Sequence, residues 1–291
     1  MQRIRYGFKA SALDLKQIKN RLKLSRALHL KDFVCELYLD GIDIWDSGVR
    51  KKIINNSSCF NGIFSLHIPV VDHRNVFYDS KRITIDYIDY LAEVADKLNK
   101  AAIILHRCWG FGSDIKWDEA SRNYKDWLWR ISSKHPSLTF LVENFGLVFR
   151  KNKGKLQIYM SPLDHFFPRE IDNFDVWLKK NNITNIHPLV DFAHLNQTLN
   201  LLKAWRMDPD KVRHFFHKSL HHRIDNRTFY FERLEDCISK KVYPYFHISD
   251  SCCLPKGARC QEWQSYFVSE GLVMGKGDIK WRQLLKKIMG L

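Results

Sequence analysis

Short apolar runs recur along the chain, and most are followed by a stretch in which apolar residues return every three or four positions. Residues 4–9, 33–39, 62–69, 101–106, 138–143, 187–191 and 243–250 are near-continuously apolar, and the pattern predicts strands covered on both faces. Asp40-Gly41 stops the second run, Pro69 closes the third and Asn144-Phe145-Gly146 stops the fifth. Helical spacing predicts helices over 13–27, 86–100, 117–133, 172–181 and 281–289, with a weaker one over 49–54. Residues 149–160 are basic and read as a hairpin or a loop excursion, and 196–241 as a long, mostly helical, basic insert.

Strands alternating with helices specify βαβ units and a parallel sheet. Spacings of roughly 30 to 55 residues suit a (β/α)8 TIM barrel of about 250 residues. A doubly wound open sheet would carry a glycine-rich phosphate loop after its first strand. Neither G-x-G-x-x-G nor G-x-x-x-x-G-K-[ST] occurs. No internal repeat or long linker divides the chain, so residues 1–291 are expected to form a single α/β domain. The last predicted helix is the one that should precede an eighth strand, so the expectation is a TIM barrel lacking that strand.

With 45% hydrophobic residues the chain can bury a sizeable core, which excludes disorder. Formal net charge is +15, from 47 Lys and Arg against 32 Asp and Glu. That sign favours polyanionic partners, DNA or a phosphorylated substrate among them. Biased genome composition would also enrich Lys, so the charge is minor support. The 7 cysteines are odd in number and scattered, which argues for free thiols and a reducing, cytoplasmic setting. Cys252, Cys253 and Cys260 lack the C-x-x-C spacing of a zinc cluster. Met1 to Arg5 has no apolar core behind it, so no signal peptide is expected. No apolar run approaches the roughly 20 residues needed to span a membrane.

The chemistry lies where the apolar runs end. In a barrel of this type the active site is built at the C-terminal ends of the strands. His67, His106, Glu143, Asp191 and His247 each end a run there, and His194 follows Asp191 by three residues. A carboxylate buried among apolar residues is costly unless paired, hydrogen-bonded or bound to a metal. A lone strand-end histidine is more often a satisfied core or loop residue than a ligand. Five such endings in one order point instead to a divalent metal, and the mixture of imidazole and carboxylate suits Zn²⁺, Mn²⁺ or Fe²⁺. Cys108 is the nearest thiol and reads as structural. His214, His217, His221 and His222 read as a solvated helix face, and Trp127, Trp129 and Trp281 as core.

These motifs are Leu66-His67-Ile68-Pro69, Leu105-His106, Val142-Glu143-Asn144-Phe145-Gly146, Val190-Asp191-Phe192-Ala193-His194, Phe246-His247-Ile248-Ser249-Asp250 and Gly275-Lys276-Gly277-Asp278-Ile279. In order and spacing the chain resembles the xylose isomerase-like TIM barrels. These include apurinic/apyrimidinic endonucleases of the endonuclease IV type (AP endonuclease family 2) and many sugar isomerases and epimerases. In the nuclease branch the resemblance implies that His67, His106 and Glu143 hold one metal. Glu143 then bridges to a second shared with Asp191 and His247, and His194 serves a third. In the isomerase branch it implies a single metal on Glu143, Asp191 and His247, with Glu143 and a glutamate on the last strand moving protons beside a sugar carbonyl. Arg107, Trp109 and Asp250, next to these positions, are the expected substrate contacts.

Three functions follow as expectations. The first is a metal-dependent phosphodiesterase acting on abasic or damaged DNA, with Zn²⁺ as its metal. His67, His106 and the basic stretch Arg150-Lys151-Asn152-Lys153-Gly154-Lys155 favour it. Nearly level is a sugar or sugar-phosphate isomerase or epimerase using Mn²⁺ or Mg²⁺. The Gly277-Asp278-Ile279-x-Trp281 ending favours that reading, as does the lack of an Asp-x-His before the preceding Gly-x-Gly turn. The third is a degenerate, non-catalytic binding barrel.

Overall fold

The computed structural model describes residues 7–30, 33–58, 60, 62–68, 83–105, 117–144, 148–152, 155–159, 168–215, 221, 234, 245–248, 274 and 276–289. Strands β1 (Gly7–Ser11), β2 (Val34–Tyr38), β3 (Ile63–His67), β4 (Ala102–Leu105) and β5 (Phe140–Glu143) alternate with helices α1 (Leu15–Ala27), α2 (Ser47–Ser58), α3 (Ile83–Lys97) and α4 (Trp117–Lys134). A hairpin follows, β6 (Val148–Asn152) and β7 (Lys155–Tyr159), then α5 (Pro168–Lys180), β8 (Ile186–Asp191), α6 (Phe192–Met207) and α7 (Pro209–Val212). Strand β9 (Phe246–His247) and helix α8 (Trp281–Met289) complete the described elements. The seven sheet strands are ordered β1-β2-β3-β4-β5-β8-β9, and the recorded pairings are parallel. This is the (β/α)8 barrel plan with seven of its strands among the described residues.

The chain divides into two compact units. The first comprises Met1–Cys108, Asn123–Val142 and Asn181–His187. Its apolar strand positions are sealed: Ala10, Leu37, Leu66, Ile103, Leu105 and Phe140 are fully buried. Asp14 caps α1 by accepting from the Gln17 N–H at 2.9 Å, and Ile18, Leu22 and Ser25 form the buried stripe. Gly41 follows β2 at φ +70°, a conformation that favours glycine, which is why Asp40-Gly41 ends that run. Helix α2 runs from Ser47 to Ser58, longer than its sequence pattern predicts. Arg50, in its first turn, is buried, and its guanidinium is satisfied. It donates to the carbonyls of Ile44 and Trp45 at 2.9 Å and to Glu93 at 3.1 Å, and stacks 4.1 Å over the Tyr90 ring. His135, which carries no signal in the sequence, pairs with Asp89 at 2.8 Å.

The second unit comprises Trp109–Arg122, Glu143–Lys180 and Pro188–Leu291. Its core is built by Ile171, Val190, Phe192, Leu195, Ile279, Trp281 and Leu284. Phe192 is fully buried, stacks on Phe246 at 5.4 Å and meets Trp281 edge-on at 6.0 Å. At the basic stretch 149–160, Val148–Asn152 and Lys155–Tyr159 pair antiparallel as a hairpin, with Arg150 opposite Gln157 and Asn152 opposite Lys155. The helix predicted from residue 196 starts four residues earlier, at Phe192, directly on the end of β8. Trp127 and Trp281 are core residues as expected. Trp129 is not: it is 54% exposed, because it falls on the outer face of α4. No helix of the described residues is long and apolar enough to cross a membrane.

Because Phe192 joins β8, β9 and α8 through one ring, Phe192→Ala should destabilise the protein by about 3–5 kcal/mol. Urea unfolding followed by circular dichroism measures this directly.

Candidate metal centre

The second unit holds the carboxylate and imidazole cluster. Asp191 ends β8 opposite His247 on β9, and the Asn144 N–H donates to the Leu189 carbonyl at 3.1 Å. The ladder therefore sets Glu143, Asp191 and His247 at the C-terminal ends of β5, β8 and β9. All three are buried, Glu143 at 1% exposure, Asp191 at 5% and His247 at 8%. The His247 Nδ1–H donates to Glu143 Oε1 at 2.7 Å and stands 3.7 Å from Asp191 Oδ2. One ligand atom from each of the three lies within 4.8 Å of the others.

Asp191 works in two directions. Its Oδ1 accepts from the N–H groups of Ala193 at 2.8 Å and His194 at 3.0 Å, which makes it the N-terminal cap of α6. Its Oδ2 is the oxygen nearest His247. Burial pushes the Asp191 pKa above the ordinary carboxylate range, and the Glu143 charge pushes the same way. His194, His247 and the backbone hydrogen bond pull it down. His194, in the first turn of α6, donates from Nδ1 to the Asn144 carbonyl at 2.8 Å and lies 3.9 Å from Glu143 Oε1. That carbonyl can only accept, so a proton is assigned to Nδ1.

In the first unit, His67 ends β3 with 4% exposure. Its Nδ1–H donates to the Ile68 carbonyl at 3.0 Å, and its Nε2 lies 3.8 Å from Glu36 Oε1. Lys9 Nζ reaches the same oxygen at 3.3 Å. Strand register lines up Lys9, Glu36 and Ser65. Burial, reinforced by Glu36, pushes the Cys35 thiol up to about 12, as befits an inert free cysteine. His106, Arg107, Trp109 and Asp250 lie outside the described residues, as do the other six cysteines.

Of the residues singled out in the sequence, Glu143, Asp191, His194 and His247 thus come together in one unit, and His67 is buried in the other. Two partners were missed. Glu36 is a lone acid inside an apolar strand run, which was a readable signal. Asn144 looked like a turn residue. Of the four clustered histidines, His214 is exposed, while His221 donates to the Arg213 carbonyl and packs edge-on against Trp205 at 5.4 Å. His217 and His222 lie outside the described residues.

The donor set fits a divalent ion. Two buried carboxylates side by side repel, and an imidazole gives only a partial answer at neutral pH. A cation within reach of all three removes the cost.

No protein-family model and no curated protein sequence matches the chain. Solved structures do. A D-tagatose 3-epimerase-like protein superposes with a TM-score of 0.52 at 13% identity, over 99% of this chain and 86% of that one. A D-allulose 3-epimerase from Methylomonas sp. gives 0.55 at 10% identity, over 100% and 82%. A xylose isomerase domain protein from Alicyclobacillus acidocaldarius gives 0.51 at 12%, over 98% and 85%. The chain has the fold of the xylose isomerase-like TIM barrels.

The two roles of Asp191 separate by substitution. Asp191→Ala removes the cap of α6 and should cost about 0.5–2 kcal/mol. Asp191→Asn keeps a capping oxygen and drops the buried charge, so it should be at least as stable as the parent without metal. The sign follows from the raised carboxyl pKa. Asp191 favours the folded state most at acid pH, and that contribution fades as pH rises through its folded pKa. Melting temperatures in chelator from acid to neutral pH should therefore show the Asn variant gaining on the parent as pH rises.

Proposed function

We propose that this chain is a divalent-metal-dependent isomerase or epimerase of a sugar or sugar phosphate, with Glu143, Asp191 and His247 holding one ion. The observation that carries the reading is the buried meeting of those three donors within 4.8 Å. Mn²⁺ or Mg²⁺ suits two carboxylates and one imidazole, and Zn²⁺ is the alternative. Such an ion supplies Lewis acidity toward a substrate oxygen.

The chain's own residues do the rest. Glu143 is the proton carrier in this proposal, acting at the carbon beside the sugar carbonyl. The hydrogen bond from His247 Nδ1 orients its Oε1. Asp191 Oδ1 is committed to the α6 cap, which leaves Oδ2 to face the centre. His194 presents a ring of defined tautomer at the edge of Glu143. Arg107, Trp109 and Asp250 are proposed as substrate contacts. The fold shared with the 3-epimerases makes D-tagatose, D-allulose and D-fructose the first sugars to test.

The second reading is an endonuclease IV-like phosphodiesterase acting on abasic or damaged DNA. Net charge of +15 and the placing of His194 3.9 Å from Glu143 favour it. It requires further ions, for which His67 and His106 are the proposed ligands.

Metal analysis and two assays separate the readings. A single Mn²⁺ or Mg²⁺ per chain with ketose turnover is the expected result, and Glu143→Gln should lower kcat by about 10²–10⁴-fold while leaving the fold intact. Two or more Zn²⁺ per chain with incision of an abasic-site oligonucleotide, lost in the same variant, would move the assignment to the nuclease. Protein that takes up no ion sinks both.

A further inference from the structure

Asn144 bonds to both Asp191 and His194. Its Oδ1 accepts from the Asp191 N–H and its Nδ2 donates to the Asp191 carbonyl at 3.1 Å, so one carboxamide closes both hydrogen bonds of one residue. A backbone peptide does this in a sheet ladder. Here a side chain does it at the point where β5 ends and β8 turns into α6. The main-chain N–H of Asn144 bonds the Leu189 carbonyl, and its own carbonyl takes the His194 Nδ1 proton. The residue is 1% exposed and covalently follows Glu143. Four connections thus leave one buried residue for both sides of the cluster.

We propose that Asn144 is a positioning residue. It holds the Asp191 carboxylate at single-ion spacing from Glu143 and His247, and it holds His194 as the Nδ1–H tautomer. This rests on the single-ion reading above. Donor and acceptor are both needed. An aspartate of the same shape would aim a second oxygen at the Asp191 carbonyl, and an alanine would release Asp191 from β5. The His194 tautomer depends on the main-chain carbonyl, so a side-chain change reaches it only by moving the strand end. Groups that orient metal ligands from behind are worth about 10–100-fold in metal affinity.

The test is Mn²⁺ and Zn²⁺ affinity, measured by competition with a chromophoric chelator on folded protein, with the melting temperature taken in chelator. Asn144→Ala and the isosteric Asn144→Asp should each weaken ion binding about 10–100-fold. In ¹⁵N NMR spectra the parent should show His194 protonated on Nδ1, and the Asp191 amide should exchange with solvent much faster in Asn144→Ala. A merely structural residue would lower the melting temperature and leave the Kd of the folded fraction within twofold, and that result overturns the inference. Asn144→Asp, which keeps the size, is the second variant if Asn144→Ala does not fold. A parent protein that binds no ion removes the single-ion reading and this inference together. A parent that binds one ion with unchanged affinity in both variants removes this inference alone.

Discussion

The second unit depends on how β8 becomes α6 without a loop. Asp191 ends the strand and its Oδ1 takes the N–H groups of the helix's second and third residues, Ala193 and His194. The helix start leaves orphan donors that a side chain must satisfy. Placing that cap on the last strand residue buries a carboxylate at the rim, and Phe192, the next residue, drops into the core. The sheet, the helix and the cluster are therefore positioned by one side chain. A capping residue in a loop would have left the helix free to sit elsewhere. Here the direction of α6 and the place of Oδ2 cannot vary independently.

Much of this was legible in the chain. Strands were readable because a parallel sheet covered on both faces needs continuous apolar runs, and five of the seven predicted runs match their strands closely, while the first, 4–9, overlaps β1 over Gly7 to Lys9. The run at residues 243–250 shrinks to β9, Phe246–His247, among the described residues. The meeting of Glu143, Asp191 and His247 was legible at the ends of the runs, because they are polar residues with no reason to terminate a core strand. What was not legible depended on contacts between distant segments. Asn144 reads as a turn former because asparagine does that locally, and only the register of β5 against β8 brings its amide to Asp191. Glu36 lies in the middle of an apolar run, and its partners Lys9 and His67 come from neighbouring strands. Phe192 to Leu195 could not be assigned to strand or helix, since a short apolar run fits both periods until a cap decides.

The two units bury polar groups differently, and the difference separates fold from function. Arg50 is buried to about the same degree as His247, yet its charge meets two carbonyls, the Glu93 carboxylate and an aromatic face. Folding needs that guanidinium, since it ties α2 to the loop before it and to α3. Nothing about it asks for a ligand, because opposite charges and dipoles already surround it.

Glu143 and Asp191 are the reverse case. Two like charges stand in one buried cluster, each raising the cost of ionising the other, and burial raises it further. A sheet has no structural use for that arrangement. Replacing it with packed apolar residues would ordinarily be neutral or stabilising. The helix cap explains one oxygen of Asp191, while Oδ2 and Glu143 Oε1 both face the His247 imidazole. Two carboxylates around one imidazole are the arrangement that the proposed metal-assisted proton transfer would use. The repulsion inside the cluster, more than the identity of any one ligand, is what favours the second unit as the seat of the proposed chemistry.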